Sequence, residues 1–238
     1  MAEMATEREV QAQAISGARQ EYFDRYWITR DFLRTDRRTM ERAQLIWPRL
    51  SRRAGRALDV GCGRGLFASF LAEQGLLVEG IDISPQAVEL TKERGIEAYL
   101  LDLEAQSPLG QYELIFCLEV LQQVRDPLAV LTRLIGALVP GGELVVSVPN
   151  EFHLLRRLSI LFGKVDFGGP DDSHLKLFTP RRAEQLIERA ALEIHAAACD
   201  SLVPPQFSLA ARAGRALATL WPGVLALSTI YFTHPRNA

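Results

Sequence analysis

The 238-residue chain is short of cysteine, of long apolar runs and of net charge. Its three cysteines, Cys62, Cys117 and Cys199, stand far apart and make no metal or redox motif. A disulfide scaffold is excluded on that count, and a free-thiol cytoplasmic protein is expected. The formal charge of −2 gives no reason to expect a nucleic-acid binder. The longest apolar stretch, Leu217 to Phe232, falls short of the roughly 20 residues a spanning helix needs. Pro222-Gly223 also breaks it, so a core helix followed by a strand is the better reading. The first twenty residues carry several Glu and Arg and no apolar block, so no secretory leader is expected. There is no internal repeat and no low-complexity linker. What remains is 48% hydrophobic and 24% charged, which suits one ordinary globular domain with an appendage.

The most informative stretch is Ala57-Leu58-Asp59-Val60-Gly61-Cys62-Gly63-Arg64-Gly65. A short apolar run meets an Asp, then glycines at alternate positions, then the apolar helix pattern of residues 66–72. This predicts a buried strand, a tight loop and an amphipathic helix. Bare glycine backbone lets a ligand lie directly against the main chain. Further strands are expected at Leu76–Ile81, Ile96–Leu101, Tyr112–Leu118 and Leu144–Val148, with Pro140-Gly141-Gly142 as a turn before the last. Ser84-Pro85, Asp126-Pro127 and Thr179-Pro180 each pair an N-cap with a proline in the first turn and predict helix starts. Strands alternating with helices predict a mostly parallel sheet covered on both faces, with ligands beyond the carboxyl ends of the strands. Asp59, Asp82, Asp102, Glu119 and Asn150 close successive strands and therefore gather at that edge. Late strands at Leu192–Cys199 and Leu225–Thr233, around a helix at 205–220, are expected to make an antiparallel edge.

Before the first strand, residues 3–20 read as a solvated, partly helical lead-in. Tyr22, Phe23, Tyr26 and Trp27 then fit one helix face. Two readings stay open for them: packing onto the domain, or covering the mouth of the ligand site. A second helix is expected from Arg37 to Trp47. Arg37, Arg38, Arg42, Arg49, Arg52 and Arg53 make a basic region, of which most should be solvated and one is available for a ligand carboxylate. The chain divides on this reading into a helical cap over 1–53 and a main domain over 54–238, with a substrate-side insertion at 150–178.

Two cofactor classes fit a strand, glycine loop, helix and later acidic residue. A dinucleotide fingerprint needs Gly-x-Gly-x-x-Gly, and here the third position is Leu66. The spacing found is Gly-x-Gly-x-Gly, with Asp59 two residues upstream, where its charge suits a cationic ligand better than a pyrophosphate. Asp82 is placed to accept from two ribose hydroxyls and Asp102 from an adenine amine.

Asp59 to Gly65, Gly80-Ile81-Asp82-Ile83-Ser84 and Leu101-Asp102-Leu103 together resemble the class I S-adenosylmethionine-dependent methyltransferases. The resemblance is close over roughly residues 55–150 and general elsewhere. It implies an α/β, Rossmann-like, seven-stranded and mostly parallel sheet with a reversed C-terminal strand. It also implies S-adenosyl-L-methionine as cofactor, with Asp59, Gly61, Cys62, Gly63, Gly65, Asp82, Ile83, Asp102, Leu103, Cys117 and Leu118 as its contacts. Cys117 to Val124 with Asp126-Pro127 is similar to the branch of ubiquinone-biosynthesis O-methyltransferases and MetW-like proteins. The blocks 148–153 and 174–179 are more loosely similar to MetW-like relatives. Members of that branch often carry Glu-His where this chain has Gln122-Gln123, and two neutral amides replace a carboxylate and an imidazole poorly, so no metal is expected.

The implied activity is methyl transfer to a small molecule, on oxygen, and a hydroxyl acceptor calls for a general base. Of the four histidines, His195 and His234 read as structural or exposed. His174 and His153 are the two candidate bases, each balanced by a packing role. His174 ranks ahead because it stands just before the last regular helix, as in the family layout. Glu119 fits a cofactor contact and a substrate contact equally. A non-catalytic partner that keeps the fold is the alternative, and a nicotinamide-dependent oxidoreductase is disfavoured by the glycine spacing. Residues 152–162 form a basic amphipathic helix that reads as a lid or as a weak membrane-surface contact. Neither oligomeric state nor acceptor can be read.

Overall fold

The structure is a computed structural model that describes residues 17–27, 33–105, 108–164, 174–201 and 208–236, the side chains of 33–35, 201 and 208–212 apart. The expected loop at 168–172, the lead-in over 3–16 and the first residues of the 205–220 helix lie outside that set.

Seven strands form one sheet in the order β3-β2-β1-β4-β5-β7-β6. These are β1 (Arg56–Val60), β2 (Leu77–Asp82), β3 (Glu97–Leu100), β4 (Tyr112–Leu118), β5 (Leu138–Pro149), β6 (Leu192–Ser201) and β7 (Ala226–Pro235). The pairs from β3 to β5 are parallel, and β7 runs antiparallel to both β5 and β6. The mostly parallel sheet with its reversed last strand is the architecture expected from the sequence.

Helices cover both faces. In chain order they are α1 (17–27), α2 (Leu33–Ile46), α3 (Leu66–Glu73), α4 (Pro85–Lys92), α5 (Pro127–Gly136), α6 (Leu154–Leu161), α7 (Pro180–Arg189), α8 (Ser208–Leu220) and the single turn α9 (Pro222–Leu225). The three sequence caps operate. Ser84 Oγ accepts from Ala87, Asp126 Oδ1 from Leu128 and Ala129, and Thr179 Oγ1 from Arg182. Each satisfies otherwise unpaired first-turn amides, an effect of about 1 kcal/mol per cap.

Alternate residues of each central strand feed two cores. Leu58, Val60, Ile115, Cys117 and Val146 pack with α5 and α7 on one face. Ala57, Leu114, Phe116 and Val145 pack with Phe67 and Leu71 of α3 on the other. Ala43 and Ile46 of α2, with Leu50, complete that second core. Burial on both faces is why these strands read as continuous apolar runs.

One boundary differs. β5 starts at Leu138, six residues before the strand predicted at Leu144, and absorbs the predicted turn. Tyr112 pairs with Leu138, and Leu114 with Glu143, so Pro140-Gly141-Gly142 is a bulge inside the strand. Gly141 takes φ 71° there, a conformation open to glycine.

Candidate functional site

The carboxyl ends of β1, β2 and β4 and the segment after β3 meet beside the glycine loop. Gly61, Gly63 and Gly65 all have φ between 54° and 71°. At Gly63 the absence of a side chain lets Trp27 approach, since a Cβ there would lie 2.5 Å from its indole, and the Gly63 amide donates to Asp82 Oδ2 at 2.9 Å. Gly65 is the left-handed N-cap of α3 and packs under Thr91.

Two adjoining cavities flank this loop. One of about 570 Å³ is lined by Gly61, Asp82, Ile83, Asp102, Leu103, Leu118, Glu119 and Val120, with Arg19, Phe23 and Trp27 of α1 over it. The other, of about 530 Å³, is lined by Asp59, Gly61, Cys62, Arg64 and Leu118, with Asp36, Thr39 and Arg42 of α2. Trp27, Gly61 and Leu118 border both, so the two form one cleft pinched at the loop.

The charges in the cleft are held in place. Asp82 Oδ1 accepts from Ser84 and Oδ2 from Gly63, so its orientation is set while each oxygen keeps a further lone pair. Asp59 is buried, and its Oδ2 has no hydrogen-bond partner among the described residues. Burial, and then the charge of Asp82, push the Asp59 carboxyl up to about 7. Asp82 is itself raised by burial, against the pull of its backbone donors. Across the cleft Arg42 reaches Glu119 Oε1 at 3.4 Å, and its buried Nε is unpartnered. Glu119 holds φ 58°, unusual outside glycine, with its amide and Oε1 tied to Ser147. Such a strained residue in a cleft marks a functional position.

Helix α1 resolves one open reading. Arg19 pairs with Glu104 and donates to Gln123 O at 3.2 Å, while Asp24 accepts from Ser84 Oγ and the Gln86 amide, both at 2.9 Å. The helix is latched over the cleft and lines it. The described end of the lead-in is therefore not simply solvated, because Arg19 is half-buried in this latch.

Among the residues singled out from the sequence, Asp59, Gly61, Cys62, Asp82, Ile83, Asp102, Leu103 and Leu118 line the cleft. Cys117 does not. Its side chain is wholly buried in the core below, because β4 alternation sends it there. Gly65 lines neither cavity and serves as the cap described above.

In the connection after β5, His174 Nδ1 lies 2.7 Å from Glu151 Oε1, and Arg156 stands 3.7 Å from Oε2. Hydrogen bonding from His174 holds the Glu151 carboxyl below its usual range, outweighing burial. The segment is pinned to Gln122, since the Leu175 and Lys176 amides donate to its carbonyl and the Glu151 amide to Phe178 O, and neither His174 nor His153 lines either cavity. His153 is employed otherwise: its Nδ1 accepts from Arg156 as the N-cap of α6. Burial and Arg156 lower its pKa. Glu151, Arg19 and Arg42 were not separable from their neighbours in the sequence. Arg42 was one of six basic residues, and only the helix phase of α2 selects it.

Comparison with known proteins follows the same lines. A family model described as a methyltransferase domain matches residues 31–197. A ubiquinone biosynthesis O-methyltransferase of Xylella fastidiosa is 36% identical over 119 residues, covering 46% of this chain and 48% of that protein. The Xanthomonas euvesicatoria protein of the same name is 33% identical over 119 residues, with 46% and 49% covered. The chain thus spans about half the length of the curated relatives it matches. The magnesium protoporphyrin IX methyltransferase of Synechocystis, solved with bound SAH, superposes with a TM-score of 0.62 at 17% identity, covering 92% of this chain and 98% of that one. At that identity the likeness concerns the fold. Among the described residues, no helix is long and apolar enough to cross a membrane.

Proposed function

The chain belongs to the methyltransferase-domain family, and we propose that it transfers the methyl group of S-adenosylmethionine to the oxygen of a small molecule. One observation carries the reading: a single cleft presents a buried carboxyl, Asp59, whose Oδ2 has no hydrogen-bond partner among the described residues, and a guanidinium, Arg42, whose Nε likewise has none there, beside a bare glycine loop. That pair complements an amino-acid zwitterion next to a sulfonium, and complements a pyrophosphate poorly.

In this assignment Asp59 and the Gly61 backbone face the cationic end of the cofactor, and Arg42 takes its carboxylate. Asp82 accepts from the ribose hydroxyls, while Ile83, Asp102 and Leu103 border the adenine. When bound, the cofactor supplies an electrophilic methyl with its own leaving group. The protein's part is alignment and exclusion of water. Trp27 and Phe23 of α1 exclude water from above. His174 accepts the acceptor hydroxyl's proton. Its Nδ1–H donates to Glu151, which makes Nε2 the basic nitrogen, and the carboxylate stabilises the imidazolium that forms. Of the cap expected over 1–53, α1 is the donor-side cover, and of the insertion expected at 150–178, the described residues 150–164 and 174–178 are the acceptor-side cover.

The acceptor side also has an apolar exterior. Leu155, Leu158, Leu161 and Phe162 of α6 and its end are exposed, the last two by 75% each, beside Arg156, Arg157 and Lys164. A greasy acceptor delivered from a lipid surface suits that face. Isothermal calorimetry tests the donor assignment. Saturable S-adenosylmethionine binding supports it, and NADH binding in its place overturns it. A turnover assay with small hydroxylated metabolites then separates an enzyme from a non-catalytic partner that keeps the cofactor site.

A further inference from the structure

At the end of the sheet remote from the cleft, three donor side chains far apart in sequence converge. Glu143 lies on β5, His195 on β6 and His234 on β7, and one ligand atom from each lies within 4.8 Å of the others. We propose that this triad binds a divalent transition ion of the zinc type. Glu143 stands six residues, about 20 Å, upstream of the cleft end of β5, so the site is separate from the one described above. The absence of metal expected from Gln122-Gln123 concerned the cleft and does not bear on this triad.

The surroundings of each donor are those a metal ligand needs. The Glu143 carboxylate is fully buried, and its Oε2 accepts from the Ser51 amide at 2.9 Å and the Ser51 hydroxyl at 2.7 Å. That grip holds the group and leaves Oε1 pointing at His195 Nε2, 3.0 Å away. His234 Nδ1 lies 2.9 Å from Gly142 O. A carbonyl only accepts, so Nδ1 carries the hydrogen and Nε2 the lone pair. A ring held through one nitrogen by a backbone carbonyl is the usual second contact of a ligating histidine. His195 is the extra residue of a bulge, because Ile194 pairs with Thr233 and Ala196 with Phe232. Bulges re-aim side chains. This one sets the two imidazoles parallel, with centroids 4.6 Å apart, over the same carboxylate.

A tetrahedral ion with bonds of about 2.0–2.1 Å holds its donors about 3.4 Å apart. Loading therefore draws the three groups together and turns the rings off parallel. The ion takes the place of the proton between His195 Nε2 and Glu143 Oε1, which moves to Nδ1 or leaves to solvent. Two imidazoles and one carboxylate select zinc, cobalt, nickel or copper over magnesium and calcium, and leave a fourth position to water. The site would clamp the reversed edge of the sheet, β5-β7-β6, to the Ser51 segment that leads into β1.

The test is titration of ZnCl2 into tag-free, chelator-stripped full-length protein by calorimetry, with CoCl2 absorption as a second readout. One equivalent of zinc is expected, with a higher melting temperature, visible-region bands of four-coordinate cobalt and no comparable response to MgCl2. The double variant H195Q/H234Q should weaken zinc at least 100-fold and abolish the cobalt bands. If that variant does not fold, His234→Gln alone, which keeps a donor for Gly142 O, should still remove the four-coordinate spectrum. No saturable zinc binding, or binding unchanged in these variants, overturns the proposal and leaves the triad a hydrogen-bonded network.

Discussion

The sites proposed for the donor and for the acceptor are built on different principles. The donor half sits on strand ends and a loop, with Asp82 oriented by the Gly63 and Ser84 amides and Asp102 by the Glu104 amide. The acceptor half sits on the connection after β5 and depends on side chains holding side chains, Glu151 with His174 and Arg156.

Substitutions can sharpen that contrast. The largest effect is expected from His174→Ala, which should lower kcat by about 10²–10⁴-fold while cofactor affinity stays put. Equal losses in turnover and cofactor binding, measured by steady-state kinetics and calorimetry, would merge the two halves. Asp82→Ala should weaken S-adenosylmethionine by about 1–3 kcal/mol, and an unchanged dissociation constant would remove the ribose assignment.

Asp59 probes the donor half through pH. Its folded pKa, about 7, lies above the unfolded value of about 3.9. The folded state therefore holds the extra proton between those values, and this group makes the cofactor-free protein less stable as pH rises through that window. A cationic ligand favours the ionised form, so cofactor affinity should climb over the same range and level off above about pH 7. Asp59→Asn should flatten both trends, in denaturation and in binding, and stabilise the cofactor-free protein above pH 7. Retention of the wild-type pH slopes in the variant would point to another group.

The smallest effect is expected outside the cleft. Flotation with anionic vesicles should recover a minor fraction of the protein, and Leu161→Asp with Phe162→Asp should abolish that recovery. Equal recovery of wild type and variant would mean that α6 is only a cover.

The donor half was also the legible one. Glycine spacing, Asp at successive strand ends and Ser-Pro caps are local signals, and each maps to one place in a parallel sheet. Cys117 shows the limit: it is next to Leu118 in sequence, but strand alternation puts the two on opposite sides. Helix α1 escaped a firm reading because its contacts, Arg19 to Glu104 and Asp24 to Ser84, join residues 85 and 60 positions apart in sequence. Glu151 escaped because its partner His174 comes from beyond an irregular segment with no periodicity to place it. The same holds for Glu143, His195 and His234, which only the order β5-β7-β6 and a bulge bring together.

The most direct test of the central claim is one calorimetric comparison on the full-length protein, S-adenosylmethionine against NADH, with Asp82→Ala alongside. The assignment calls for saturable S-adenosylmethionine binding at one site, weakened by about 5- to 150-fold in the variant, and no NADH binding. Tight NADH binding without S-adenosylmethionine binding would contradict it.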